Sequence, residues 1–288
     1  MTDEEEAKPA STAAIAGELI RAAKDSPTMR EAGNEFGQSF LTVGRAINNA
    51  LLPIAAMNYG FEKAKEYFAS RFIKDMEDKA SRIPPERLIE PSASVAGPAL
   101  QGLAFAHEEE SLRDMYLSLI ASAMDKEVSG SAHPAFVEII KQLGAKDADL
   151  LQSFLGSTAD VEPIAEVRRS SIKGDGYVPV RKHLLDLVSR ETRETTVVPE
   201  LPAIVDNWIR LGLVTVDYNE ALMEKSAYDW CDNRPEYLEI KARLELELES
   251  NEQIEVQKGV LRRTAFGKQF AGAVGILQVV TLSDQQGQ

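Results

Sequence analysis

The sequence predicts a mainly α-helical protein with a C-terminal α+β part. Three observations predict it. Apolar residues recur at three- and four-residue spacings from Phe40 to Leu155, the period of a helix with one buried face. After Gly156 that period stops, and Pro163, Gly174 and Gly176 interrupt the chain. From Tyr237 to Glu249 the period becomes two, with Leu238, Ile240, Ala242, Leu244, Leu246 and Leu248 separated by charged residues.

Each element follows from its own residues. Residues 1–12 form an acidic, proline-containing disordered lead, a helical domain occupies 13–156, and an α+β domain occupies 157–288. Phe40, Val43, Ile47, Leu51 and Leu52 line one helix that Pro53 ends or kinks. A second helix runs from about Ile54 through Tyr59, Phe61, Ala64, Phe68, Phe72 and Met76. Ile83-Pro84-Pro85-Glu86 breaks it, since proline lacks an amide donor and disfavours helix before it.

Leu112, Met115, Tyr116, Leu119, Ile120, Ala123 and Met124 then mark the clearest helical face, with Glu108, Glu109 and Glu110 suiting its positive end. Pro134 opens a helix carrying Phe136, Ile139, Ile140 and Leu143 before Gly144. Asp147 caps another with Leu150, Leu151, Phe154 and Leu155. Three such helices make a bundle from about residue 95 to 156.

In the C-terminal part, 161–178 reads as short strands or a loop, and 179–190 as a helix. Pro202 opens a helix ending at Leu211-Gly212, and 213–216 is a short strand. Tyr237–Glu249 reads as a strand, turning at 250–253 into a return strand from Ile254 to Arg263. Thr264–Ala273 is a helix, and Gly275–Leu282 adds a last strand.

Composition limits the function. The chain has 288 residues, with 32 Lys and Arg against 46 Asp and Glu, a net charge of −14 that opposes phosphate binding over a broad surface. The acid excess is uneven. Lys258, Arg262, Arg263 and Lys268 have no acid among them from Val256 to Ser283, and Arg168, Arg169, Lys173, Arg181 and Lys182 face only Asp175. The 237–255 segment is acidic, with six Glu against Lys241 and Arg243. Lys258, Arg262, Arg263 and Lys268 are therefore the candidate nucleic-acid contacts, beside an acidic hairpin that would repel phosphate.

The acidic N-terminus is no secretory signal, and Arg45, Asn48, Asn49, Pro53 and Asn58 interrupt the apolar 40–61 stretch before it reaches the roughly 20 residues of a span. The expectation is a cytoplasmic protein without a stable membrane span, with the 40–61 segment as its only route to a membrane-acting role. That same apolar segment suggests a homo-oligomer.

No catalytic, metal or cofactor site emerges. The single cysteine, Cys231, has no neighbouring base, and His107, His133 and His183 have no metal-ligand spacing. His133 before Pro134 reads as a helix-capping side chain. Glu239-Ile240-Lys241 on its strand has the carboxylate-x-lysine order of metal-dependent nucleases, a triplet that chance supplies readily. Gly174-Asp175-Gly176 lacks the continuation of a phosphate loop. The acids at 108–110 and at Asp125 and Glu127 lie about 25 Å apart along one helix, too far to share an ion.

Two stretches resemble a known family. The first comprises Ala96-Gly97-Pro98-Ala99-Leu100, Leu112-Arg113-Asp114-Met115-Tyr116, Leu119-Ile120-Ala121-Ser122-Ala123-Met124-Asp125-Lys126 and the helix start His133-Pro134-Ala135-Phe136. The second joins Arg210-Leu211-Gly212-Leu213-Val214 to Arg263-Thr264-Ala265-Phe266-Gly267-Lys268-Gln269-Phe270. Together they resemble the bacterial abortive infection alpha family over roughly residues 35 to 275. The resemblance implies a role in resistance to phage, and it carries no catalytic residues with it. It implies a non-enzymatic sensor or effector that meets protein partners or a phage component, with His133, Phe136, Arg210 and Phe266 as the contact candidates. The second stretch is also similar to a winged-helix module, in which one glycine ends a helix, a hairpin forms the wing and a second glycine admits a closing helix. Here Tyr218–Pro235 separates the helix from the hairpin.

Overall fold

The computed structural model describes residues 58–277 apart from 158, 175, 190 and 246–250. The expected 1–12 lead, the helices of 13–57 with the Pro53 kink, nearly all of the apolar 40–61 segment and most of the 275–282 strand lie outside these residues. The chain divides into two compact units, Met1–Gly156 with Gln269–Gln288, and Ser157–Lys268.

In the first unit, α1 (Asn58–Ser70) and α2 (Phe72–Ala80) bury Ala64, Tyr67, Phe68, Phe72, Met76 and Ala80, one face at helical spacing. A 3-10 turn at Pro85–Arg87 follows the proline pair. The α3 helix (Ala93–Ala106), not separately expected, opens with Ser92 accepting from Ser94 N–H and tolerates Pro98 in its second turn. The α4 helix (Glu110–Met124) is the centre of the unit. Ten of its fifteen residues are buried, more than one amphipathic face supplies, because α2, α3, α5 (Ala135–Lys141) and α6 (Ala145–Leu155) all pack on it. Each large apolar side chain so buried stabilises by about 1.5–3 kcal/mol. Gly102 of α3 lets Tyr116 of α4 lie directly against the helix backbone. Asp147 is not the cap of α6 but its third residue, with Oδ2 accepting from Gly144 N–H at 3.4 Å.

The second unit holds one antiparallel sheet in the order β2-β1-β4-β3. Its strands are β1 (Val161–Ser171), β2 (Tyr177–Leu184), β3 (Val214–Asp217) and β4 (Glu252–Arg263), with α7 (Leu201–Arg210) before β3 and α8 (Pro235–Leu244) before β4. The β1 and β4 strands pair along their whole length, from Val161 opposite Arg262 to Ser171 opposite Glu252. Pairing of β2 with β1 begins only at Ala165, so at Pro163 β1 has a side on which the missing amide costs no ladder bond. The α9 helix (Ala265–Ala273) follows β4 directly.

Two expectations are corrected. Residues 179–190 are not a helix, since Tyr177–Leu184 form β2. Tyr237–Leu244 are not a strand but most of α8, which starts with Pro235 in its first turn. Tyr237 and Ile240 are buried and Leu244 packs beside them, a 3- and 4-residue spacing hidden within the period-two pattern. The wing expected from 237–263 therefore loses its first strand, and β4 instead pairs with β1 and β3. Glu239 and Lys241 stand on a helix, which removes the strand context of the nuclease-like triplet. Among the described residues no helix is long and apolar enough to cross a membrane, and no group of three or more His, Cys, Asp or Glu is placed to hold a metal ion.

Candidate functional site

The four contact candidates fall in different surroundings. His133 is exposed, and its Nδ1 accepts from Ala135 N–H at 3.1 Å, which makes it a cap of α5. Phe136 is fully buried, edge-on to Phe270 with ring centroids 5.4 Å apart, so it is a core residue. Arg210, at the end of α7, is exposed and donates from Nη2 to Asn207 Oδ1 at 2.6 Å. Phe266 is 36% exposed near the start of α9 and lies beside Gly212, just past α7. With Ile209, also 36% exposed, Phe266 and Arg210 bring an aromatic, an aliphatic and a guanidinium to one end of α7.

All four candidate nucleic-acid contacts engage groups of the protein itself. Lys258 Nζ lies 5.0 Å from the centre of the Tyr228 ring, and Arg262 pairs with Glu220. Arg263, 9% exposed, donates to Ala159 O and pairs with Asp160 at 3.2 Å. Lys268 meets the same Asp160 at 2.9 Å, and its hydrogen bond holds that carboxyl below the usual carboxylate range. In the second basic patch, Arg168 is held by Glu166 at 2.5 Å and Arg169 by Glu252. A cation already paired with a carboxylate has less to gain from a phosphate.

A polar line in the second unit, buried at His183 and open to solvent at Asp206, has no signature in the sequence. His183 adopts φ 58°, an uncommon conformation for a residue with a side chain, and is 4% exposed. Its backbone N–H donates to Tyr218 Oη at 3.0 Å. The Tyr218 hydroxyl donates in turn to His183 Nδ1 at 3.0 Å, and Nε2 donates to Asp206 Oδ1 at 3.1 Å. This order fixes a neutral ring protonated on Nε2, and burial pushes the imidazole below its ordinary pKa. The line has the connectivity of a carboxylate–imidazole–hydroxyl triad, but its hydroxyl is a phenol that burial pushes upward, a poor nucleophile near neutrality. Cys231 is no better placed, because burial and then Asp232 push its thiol up to about 12.

The first unit contains a cleft of about 520 Å³. Arg87, from the 3-10 turn, grips Asp125 with two hydrogen bonds, Nε to Oδ1 at 2.9 Å and Nη2 to Oδ2 at 2.5 Å. Its Nη1 reaches Glu127 at 2.5 Å, and the Asp125 hydrogen bond raises the guanidinium above its ordinary value. Asp125 Oδ1 also accepts from Glu127 N–H at 3.0 Å. Backbone bonds from Lys126 N–H to Arg87 O and from Ile89 N–H to Met124 O clamp the turn to the end of α4. Lys79 pairs with Asp114 at 2.5 Å on the same side. A second cleft, of about 410 Å³, contains His107 stacked on Tyr67, whose hydroxyl donates to Asp75 at 3.1 Å. The three histidines thus lie at three separate places, each with a local partner.

The sequence matches a family model described as abortive infection alpha over residues 64–274. No curated protein and no solved structure matches the chain.

Proposed function

We propose, from the premise that the chain belongs to the abortive infection alpha family, that it is an antiphage defence protein of the abortive-infection type. In this reading it is a non-enzymatic sensor or effector that acts through protein–protein contacts. It works in the cytoplasm, as a homo-oligomer, on protein partners or a phage component. The family match over residues 64–274 is the observation that carries the reading.

The surface at the end of α7 supports a contact role. Arg210 and Phe266 are of residue types enriched at protein interfaces, Ile209 adds apolar surface beside them, and the helix end they flank is fixed by Gly212 at φ 73°. The winged-helix-like reading of this region serves as a protein-contact module. As a DNA reader it would have to break the ion pairs of Arg262, Arg263 and Lys268.

The test is plating a broad phage panel on cells with and without the gene. Fewer plaques on the carrying strain, for at least some phages, is the expected result. Loss of that protection in Phe266→Ala and Arg210→Glu variants that still accumulate as folded protein would localise the contact. Equal plaque numbers across the panel would overturn the proposal.

A further inference from the structure

We propose that the cleft of the first unit binds a small phosphate-bearing molecule, a phosphomonoester of up to mononucleotide size. Three features of the site carry this, and none depends on the defence reading.

The first is an unmatched cation. Lys79 and Arg87 keep their own acids, Asp114 for the one and Asp125 with Glu127 for the other. Arg82 lines the same cleft and is exposed, and its guanidinium has no acid or carbonyl partner among the described residues. A guanidinium presents two parallel N–H donors, the geometry that phosphate oxygens accept.

The second is an unused hydroxyl. Ser118 of α4 is 6% exposed, lines the cleft and has no hydrogen-bond partner among the described residues. Its neighbour Ser122 is satisfied, donating to Ala273 O at 2.8 Å. The rest of the residue is packed away, so this hydroxyl is held in place at the cleft wall, where a ligand oxygen can accept from it.

The third is the glycine over that hydroxyl. Gly275 has φ 74°, and a Cβ there would lie 2.8 Å from Ser118 Oγ and 3.0 Å from its Cβ. Glycine at this position both permits the turn and keeps the hydroxyl accessible from the cleft. Ile83, Val128 and Leu277 supply apolar lining, and about 520 Å³ exceeds what a bare oxyanion fills, so the ligand has an organic body.

The experiment is isothermal titration of the full-length protein with inorganic phosphate, adenosine monophosphate and adenosine, at constant ionic strength. Arg82→Ala and Ser118→Ala are the variants, and neither removes a bond that holds the fold. The expected result is binding of the monophosphate, weaker binding of phosphate alone and none of adenosine. Arg82→Ala should weaken the monophosphate about tenfold and Ser118→Ala several-fold. The unliganded melting temperatures should match the parent, which separates lost contact from lost fold. Phosphate binding as tightly as the monophosphate would keep the anion site and assign it to free phosphate. No binding of either anion up to about 10 mM, adenosine binding as well as its phosphate, or unaltered binding by both variants would overturn the proposal. Because no phage is involved, the titration and the plating experiment fail independently.

Discussion

Replacing Gly267 by alanine should destabilise the second unit, against the ordinary effect of that change in a helix. At an unobstructed helical position Gly→Ala gains up to about 1 kcal/mol in helix propensity. Gly267 is obstructed. A Cβ there would overlap the Leu213 carbonyl oxygen, with the carbonyl carbon at 2.9 Å and Cα at 3.1 Å. The obstacle is backbone, so no rotamer change relieves it. Moving α9 outward strains three bonds that seat it: Thr264 Oγ1 to Gly212 O at 2.6 Å, Thr264 N–H to Leu213 O at 3.1 Å, and Gly267 N–H to Thr264 Oγ1 at 2.8 Å. Overpacking costs about 1–3 kcal/mol, and weakening these bonds adds about 0.5–1.5 kcal/mol each. After the propensity gain of about 1 kcal/mol the net loss is about 1.5–6.5 kcal/mol. At about 2–4 °C per kcal/mol for a chain of this size, the melting temperature should fall by at least about 3 °C and by as much as about 26 °C. Differential scanning calorimetry, with urea unfolding followed by circular dichroism, measures it. An unchanged or raised melting temperature would refute the reasoning, because propensity would then outweigh the contact.

Two further outcomes follow from buried polar groups. Arg234 is 1% exposed and bonded to Glu236 at 2.6 and 3.0 Å, and it also donates to Leu187 O and Thr196 O. Glu236→Ala leaves that guanidinium uncompensated and should cost about 3–5 kcal/mol in urea unfolding; a loss below about 1 kcal/mol would mean that water reaches the site. For His183 the folded pKa is depressed, so below about 6.5 the unfolded chain takes up the proton first. Its contribution to stability is complete above that value and is lost as the pH falls. His183→Asn, which tolerates the positive φ, should flatten the decline in melting temperature between about pH 7.5 and 5.5, and identical declines would count against the buried-neutral assignment.

The parts of the fold set by local pattern were legible. The face Ala64, Phe68, Phe72 and Met76, the face Leu112 to Met124 and the helix stop at Gly212 stand where spacing put them, whereas α5 ends at Lys141 and Gly144 instead begins α6 as its N-cap. The second unit was less legible because its pairing is remote. In β1 four consecutive residues, Ile164 to Val167, are buried, so no alternation marks the strand, and its main partner β4 begins some eighty residues later. From Leu238 to Leu244 of α8 apolar and charged residues alternate, yet one helical face of Tyr237, Ile240 and Leu244 is what the core takes up. Tertiary packing decides between the two periods, and local sequence does not contain it. The candidate site was opaque for the same reason. Arg82, Ser118 and Gly275 come from distant segments and have no shared spacing, and Phe136, chosen from a motif, is a core residue.

The return of residues from Gln269 onward to the first unit has a consequence for synthesis. Phe136 and the end of α4 receive their last partners, Phe270 and Ala273, only after the whole of Ser157–Lys268 has been translated. At about 5–20 residues per second the ribosome needs roughly 6–20 s to cross that interval. For that time the helical core of a nascent chain waits with one side of Phe136 uncovered, while the sheet can already pair β1 with β2. A messenger cut short just after codon 268 would leave Ser157–Lys268 complete and the first unit without Phe270 and Ala273.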